Sequence, residues 1–156
     1  MLKKYELKKG ENNIEILIKN KINNLERMFE YCNTLKNIEG LKNLNTEEIK
    51  NFSGMFFGCS CLSDINGIEN WNVSNGTNFS YMFYKCSSLK DIKGLKNWNV
   101  SNGIDFSYMF YECSSLPNLN GLENWEISNG KDFIGMFSSC FLLSNIDEFK
   151  NLKFSN

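Results

Sequence analysis

The sequence contains no histidine, the side chain that most often serves as general base, proton shuttle and neutral metal ligand near neutral pH. Most hydrolase and zinc-enzyme readings weaken on that absence alone. An excess of positive charge is missing too: seventeen basic side chains against eighteen acidic ones leave a net charge of -1 over 156 residues. With no polybasic surface to hold phosphate backbones, nucleic acid is not an expected partner. Long apolar runs are also lacking. No uncharged stretch approaches the roughly 18–20 residues that span a bilayer. Met1 to Asn20 breaks its short apolar stretches with Lys3, Lys4, Glu6, Lys8, Lys9, Glu11 and Glu15, unlike the apolar core of a secretory signal. The expectation is an intracellular chain with no signal peptide and no membrane insertion. A 42% hydrophobic and 14% aromatic content is nevertheless far too high for a disordered tail, and the length suits one domain.

What the chain does have is a period. A shift of 27 residues aligns Met28-Phe29, Met55-Phe56, Met82-Phe83, Met109-Phe110 and Met136-Phe137, then Cys32, Cys59, Cys86, Cys113 and Cys140. The same register carries Leu35, Leu62, Leu89, Leu116 and Leu143, then Ile38, Ile65, Ile92, Leu119 and Ile146, then Leu44, Trp71, Trp98, Trp125 and Leu152. No residue is inserted or lost across five copies, which marks an array of stacked units.

Within one unit, Phe79, Met82, Phe83, Cys86 and Leu89 fall on one face of a helix at 3.6 residues per turn. Asn24, Asn51, Asn78, Asp105 and Asp132 precede it as N-cap types. Lys90-Asp91-Ile92-Lys93 then sets one aliphatic between polar neighbours, as in a short one-sided strand. A glycine follows at Gly40, Gly67, Gly94 and Gly121, and the return segment ends in turns such as Ser101-Asn102-Gly103. The expected fold is an α/β repeat: a right-handed leucine-rich-repeat solenoid of five units over 25–156. Residues 1–24 read as a β-hairpin cap, pairing Lys4-Tyr5-Glu6-Leu7 with Ile14-Glu15-Ile16-Leu17-Ile18.

Trp71-Asn72-Val73-Ser74-Asn75, followed by Asn78-Phe79-Ser80-Tyr81-Met82-Phe83-Tyr84-Lys85-Cys86-Ser87-Ser88-Leu89, resembles the BspA-like leucine-rich-repeat proteins, in the branch of mycoplasma lipoproteins and microbial-eukaryote surface proteins. The resemblance extends from about Leu25 to Asn156. It implies a curved solenoid with strands along its concave side, and a role in protein binding or adhesion, not catalysis.

Several motifs have a structural explanation. The cysteine column, with Cys61 beside it, reads as buried thiols. Helices about 8–10 Å apart would hold the Cα atoms beyond the ~7 Å reach of a disulfide, and no zinc-type spacing is present. No metal and no cofactor is expected. The Asn-x-Ser/Thr sequons at Asn51, Asn72, Asn75, Asn78 and Asn99 coincide with cap and turn positions, and the tryptophan column with core. No catalytic constellation emerges. The expected partner-binding residues flank the buried aliphatic of each strand: Asn37 and Glu39, Asp64 and Asn66, Asp91 and Lys93, Asn118 and Asn120, Asn145 and Asp147. Tyr81, Tyr84, Tyr108 and Tyr111 form a second candidate, a lateral aromatic strip. The functional expectation is a non-enzymatic protein-interaction module. The alternatives are a self-assembly unit stacking through its C-terminal coil to give a homo-oligomer, or a surface adhesin.

Overall fold

The computed structural model describes residues 22–144. The expected hairpin cap lies almost entirely outside them, as do Asn145 and Asp147.

The apolar spacing that predicts a helix is met by a different backbone. Met82 N–H donates to Phe79 O at 3.3 Å, Tyr84 to Tyr81 at 3.1 Å, Cys86 to Phe83 at 3.1 Å and Leu89 to Cys86 at 3.0 Å, each closing a turn of four residues. The intervening amides leave the segment: Phe79, Tyr81, Phe83 and Lys85 N–H donate to the carbonyls of Asp105, Ser107, Met109 and Tyr111 at 2.8–2.9 Å. A helix would have kept those donors for itself. Tyr81 and Lys85 have φ of 57° and 58°, the left-handed value that the third position of a type II turn requires. The same two columns are left-handed in every described unit: Arg27, Gly54, Tyr81, Tyr108 and Gly135, then Tyr31, Gly58, Lys85, Glu112 and Ser139. For a residue with a Cβ this conformation costs about 1 kcal/mol. The cost is offset by the ladder, because the left-handed residue is one whose amide reaches the next layer.

Each 27-residue unit thus forms one layer of consecutive turns. Layers meet through isolated parallel bridges, Asn24↔Asn51, Asn51↔Asn78, Asn78↔Asp105 and Asp105↔Asp132. Among the described residues the only helices are two 3-10 segments, Glu39–Asn43 and Lys93–Leu95, and no pairing extends beyond a single bridge into a strand. The expected α/β leucine-rich-repeat solenoid, with its helix and strand in each unit, is therefore overturned: the chain is mostly turn and irregular backbone. The reason is visible in the sequence of the second unit. Gly54 and Gly58 stand inside the segment assigned to a helix, where glycine is unfavourable, and they mark the two left-handed columns.

The apolar face is buried all the same. Phe79, Met82, Phe83, Cys86 and Leu89 lie in the core with Ile92, Trp98 and Val100. Rings repeat from layer to layer: Phe29, Phe56, Phe83, Phe110 and Phe137 stack at 5.4–5.6 Å between centroids. Phe52, Phe79, Phe106 and Phe133 stack at 5.3–5.4 Å. Asn51, Asn78 and Asp105 do not cap helices. Their Oδ1 atoms accept from the amides of Ser53, Ser80 and Ser107 at 2.9, 3.0 and 2.9 Å, so the cap chemistry serves an Asx turn.

Candidate interaction surfaces

The tryptophan and cysteine columns bind each layer to the one before it. Trp71, Trp98 and Trp125 donate from Nε1 to the carbonyls of Leu41, Ile68 and Leu95 at 3.0, 2.9 and 3.1 Å. Cys59, Cys86, Cys113 and Cys140 donate from Sγ to Phe29, Phe56, Phe83 and Phe110 O at 3.1–3.2 Å. Both reach back 30 residues. Burial pushes the Cys59 thiol up to about 12 and Cys140 to about 11, and raises Cys86 and Cys113 well above the ordinary value. These thiols stay protonated and poorly nucleophilic. Distance is not what keeps them free, as the helix-based spacing had suggested. Layers joined by parallel bridges sit about 4.8 Å apart, closer than packed helices.

The polar row expected along a strand-lined face has no strand beneath it. Asp64, Asp91 and Asn118 turn Oδ1 onto the backbone, accepting from the amides of Asn66, Lys93 and Asn120 at 3.2, 2.7 and 3.1 Å. Asn37, Glu39, Asn66 and Lys93 are exposed, and Asp64, Asp91, Asn118 and Asn120 half-buried. Lys93 Nζ meets Asp91 Oδ2 at 3.3 Å in solvent. The row exists as a series of turns whose acidic members support the backbone.

The tyrosine strip is more extensive than its spacing indicated. Tyr81 stacks on Tyr108 at 5.1 Å and Tyr84 on Tyr111 at 4.9 Å. Phe57 stacks on Tyr84 at 4.4 Å, and Tyr31 meets Phe57 edge-on at 5.2 Å. Arg27 lies 5.4 Å from the Phe57 ring centre and Lys85 Nζ 5.4 Å from that of Tyr84. Glycines in the left-handed columns make room: a Cβ on Gly58 would sit 2.6 Å from the Tyr31 ring, and one on Gly135 2.6 Å from Tyr108. The Tyr84, Tyr111, Tyr81 and Tyr108 rings are half-buried, and Tyr31 is 61% exposed. Among the described residues no tyrosine hydroxyl of the strip makes a hydrogen bond. Desolvation by the packed rings raises the Tyr84 phenol, with the Lys85 ammonium opposing it. Tyr31 was missed because it stands in a different column from the tyrosine pairs, and Phe57, although in the column of Tyr84 and Tyr111, because it is not a tyrosine. The available clue was the column register, which sets Phe57 in line with Tyr84 and Tyr31 in line with Gly58.

Because the rings stack on one another, most of their faces are already covered. Edges and hydroxyls remain for a ligand, which suits a polypeptide surface better than a sugar or base that must stack. A shallow notch of about 230 Å³ borders the strip at Arg27, Gly54 and Tyr81. Among the described residues no cluster of His, Cys, Asp and Glu could hold a metal ion, and no helix is long and apolar enough to cross a membrane.

Residues 23–149 match the model of a family described as Mycoplasma protein of unknown function, DUF285. No curated protein and no solved structure matches the chain.

Proposed function

The chain belongs to this Mycoplasma family of unknown function, and we propose from its geometry that it is a non-enzymatic module that binds another protein. The observation that carries this reading is the strip of Tyr31, Phe57, Tyr81, Tyr84, Tyr108 and Tyr111, half-exposed on a hydrogen-bonded support with its hydroxyls unused. Tyrosine and arginine are the side chains that most often anchor protein interfaces, and a strip already ordered by stacking loses little freedom on binding. The polar row adds hydrogen-bonding capacity at Asn37, Glu39, Asn66, Lys93 and Asn120. An intracellular setting is proposed with it, on the reduced cysteine column expected from the sequence. The resemblance to BspA-like proteins, carried by the Met-Phe-x-x-Cys-x-x-Leu spacing, supports a binding role.

A second reading has its own observation. Ile134, Phe141 and Leu142 are 63%, 81% and 59% exposed, and Phe141-Leu142 replaces the Ser-Ser pair of Ser87-Ser88 and Ser114-Ser115. Such a patch suits self-association. One experiment separates the two: affinity capture from source-cell lysate with the native chain, a Tyr84→Ser/Tyr111→Ser variant and a Phe141→Ser/Leu142→Ser variant. The column of Tyr84 and Tyr111 tolerates serine, since Ser138 occupies its next position. A foreign protein lost only by the tyrosine variant supports the strip. Recovery of the chain alone, abolished by the Phe141/Leu142 variant, supports assembly and removes the strip as the working surface.

A further inference from the structure

Five Asn-Gly dipeptides recur in the described chain, at Asn66, Asn75, Asn102, Asn120 and Asn129. Asparagine before glycine is open to a particular reaction. The unhindered glycine nitrogen attacks the side-chain carbon, ammonia leaves, and water opens the resulting succinimide to aspartate or isoaspartate. The reaction needs an asparagine amide that is not held in place and a glycine N–H that can give up its proton.

On both counts the structure divides the five into two groups. Asn75, Asn102 and Asn129 are held: their Nδ2 atoms donate to Glu47, Ser74 and Ser101 O at 2.9, 2.8 and 2.8 Å. The glycine amides that follow close turns onto Val73, Val100 and Ile127 O at 2.8, 2.8 and 2.9 Å. Among the described residues the side-chain amides of Asn66 and Asn120 make no hydrogen bond. The glycine N–H that follows each of them is directed at a carboxylate, Gly67 at Glu69 Oε2 and Gly121 at Glu123 Oε2, the latter at 2.8 Å. A carboxylate in contact with the proton that must leave is in position to act as general base.

We propose that Asn66 and Asn120 are sites of succinimide-mediated deamidation, with water as co-reactant and Glu69 and Glu123 as the proton acceptors. The N–Cγ bond forms as the glycine proton passes to the carboxylate. The carboxylic acid returns it to the departing amide nitrogen, the Cγ–N bond breaks and ammonia is released. Water then adds across the imide, and no electrons are exchanged with any other species. Each event turns a neutral amide into a carboxylate, so the polar row gains two negative charges at positions where it has none. The modification acts as a slow change in the charge of that face, independent of whether the tyrosine strip binds a partner.

The test is prolonged incubation of the full native chain at neutral pH, followed by peptide mapping that separates asparagine, aspartate and isoaspartate. Asn66 and Asn120 should convert at least about tenfold faster than Asn75, Asn102 and Asn129, and Glu69→Gln should slow Asn66 alone by about tenfold. Glutamine keeps an acceptor oxygen for the Gly67 amide, and Glu123→Gln repeats the test independently at Asn120. In denaturant the five rates should converge, which assigns the native order to the fold. Equal native rates, or earlier loss at Asn75, Asn102 and Asn129, would overturn the proposal, and so would rates at Asn66 and Asn120 unmoved by the two glutamine variants.

Discussion

The corner after the buried aliphatic is built in two ways, and they alternate along the chain. In the first and third units it is a 3-10 helix, Glu39–Asn43 and Lys93–Leu95. In the second and fourth it is an open turn in which Gly67 and Gly121 have φ of 111° and 120°. The sequences differ in step with the backbone. Glu39-Gly40-Leu41-Lys42 and Lys93-Gly94-Leu95-Lys96 have a charged residue before the glycine and a lysine two after it. Asn66-Gly67-Ile68-Glu69 and Asn120-Gly121-Leu122-Glu123 have asparagine before and glutamate two after. A glutamate at that position can accept the glycine N–H where a lysine cannot, and the left-handed turn delivers that donor to it. One acidic side chain per corner therefore goes with one of two backbones, while the layers continue in register.

The largest effect should come from adding a single methyl group. A Cβ on Gly67 would lie 2.5 Å from Ile38 O on top of the strain of its φ, whereas one on Gly40 meets nothing within 4 Å. Gly67→Ala should lose about 3 kcal/mol and Gly40→Ala should gain about 0.5 kcal/mol, read from urea unfolding. Equal losses at the two sites would erase the distinction between the corners.

The thiol column should ignore it. Cys86 and Cys113 belong to layers with different corners, yet burial raises both. A thiol whose folded pKa is raised gives full stability below the unfolded value near 9. It loses that contribution as pH rises, because the unfolded chain gives up the proton first. Stability should therefore fall from about pH 9 towards 12, by up to about 1.4 kcal/mol per pH unit for each buried thiol. Cys86→Ser and Cys113→Ser should each flatten that slope by the same amount, measured as urea midpoints across the window. A smaller and sharper test is Glu123→Ala. It removes the acceptor from the Gly121 amide and should cost about 1 kcal/mol, with faster hydrogen exchange at Gly121 and unchanged exchange at Leu95.

Much of this was legible in the residues. The 27-residue period, the buried faces of Phe79 to Leu89 and the burial of the tryptophan column follow from apolar spacing alone. The backbone did not, because side chains at steps of 3, 4 and 7 fit consecutive turns as well as they fit a helix. What separates the two is where every second amide goes, and a donor bonded to a residue 26 positions away leaves no mark on local spacing. Gly54 and Gly58 were the one local clue. Of the candidate surfaces, the tyrosine pairs were visible as columns. The turn duties of Asp64 and Asp91 were not, since an aspartate that holds its own backbone looks in sequence like one that faces a ligand.

The thiol and indole donors that reach back 30 residues also govern how this chain can change its length. A single residue gained or lost within any unit would shift Cys and Trp off their carbonyls in the neighbouring layer and put the left-handed columns out of line with their acceptors. A gain or loss of 27 residues leaves every donor facing an equivalent carbonyl. Chains built this way are free to differ by whole units and are held to the same count within them.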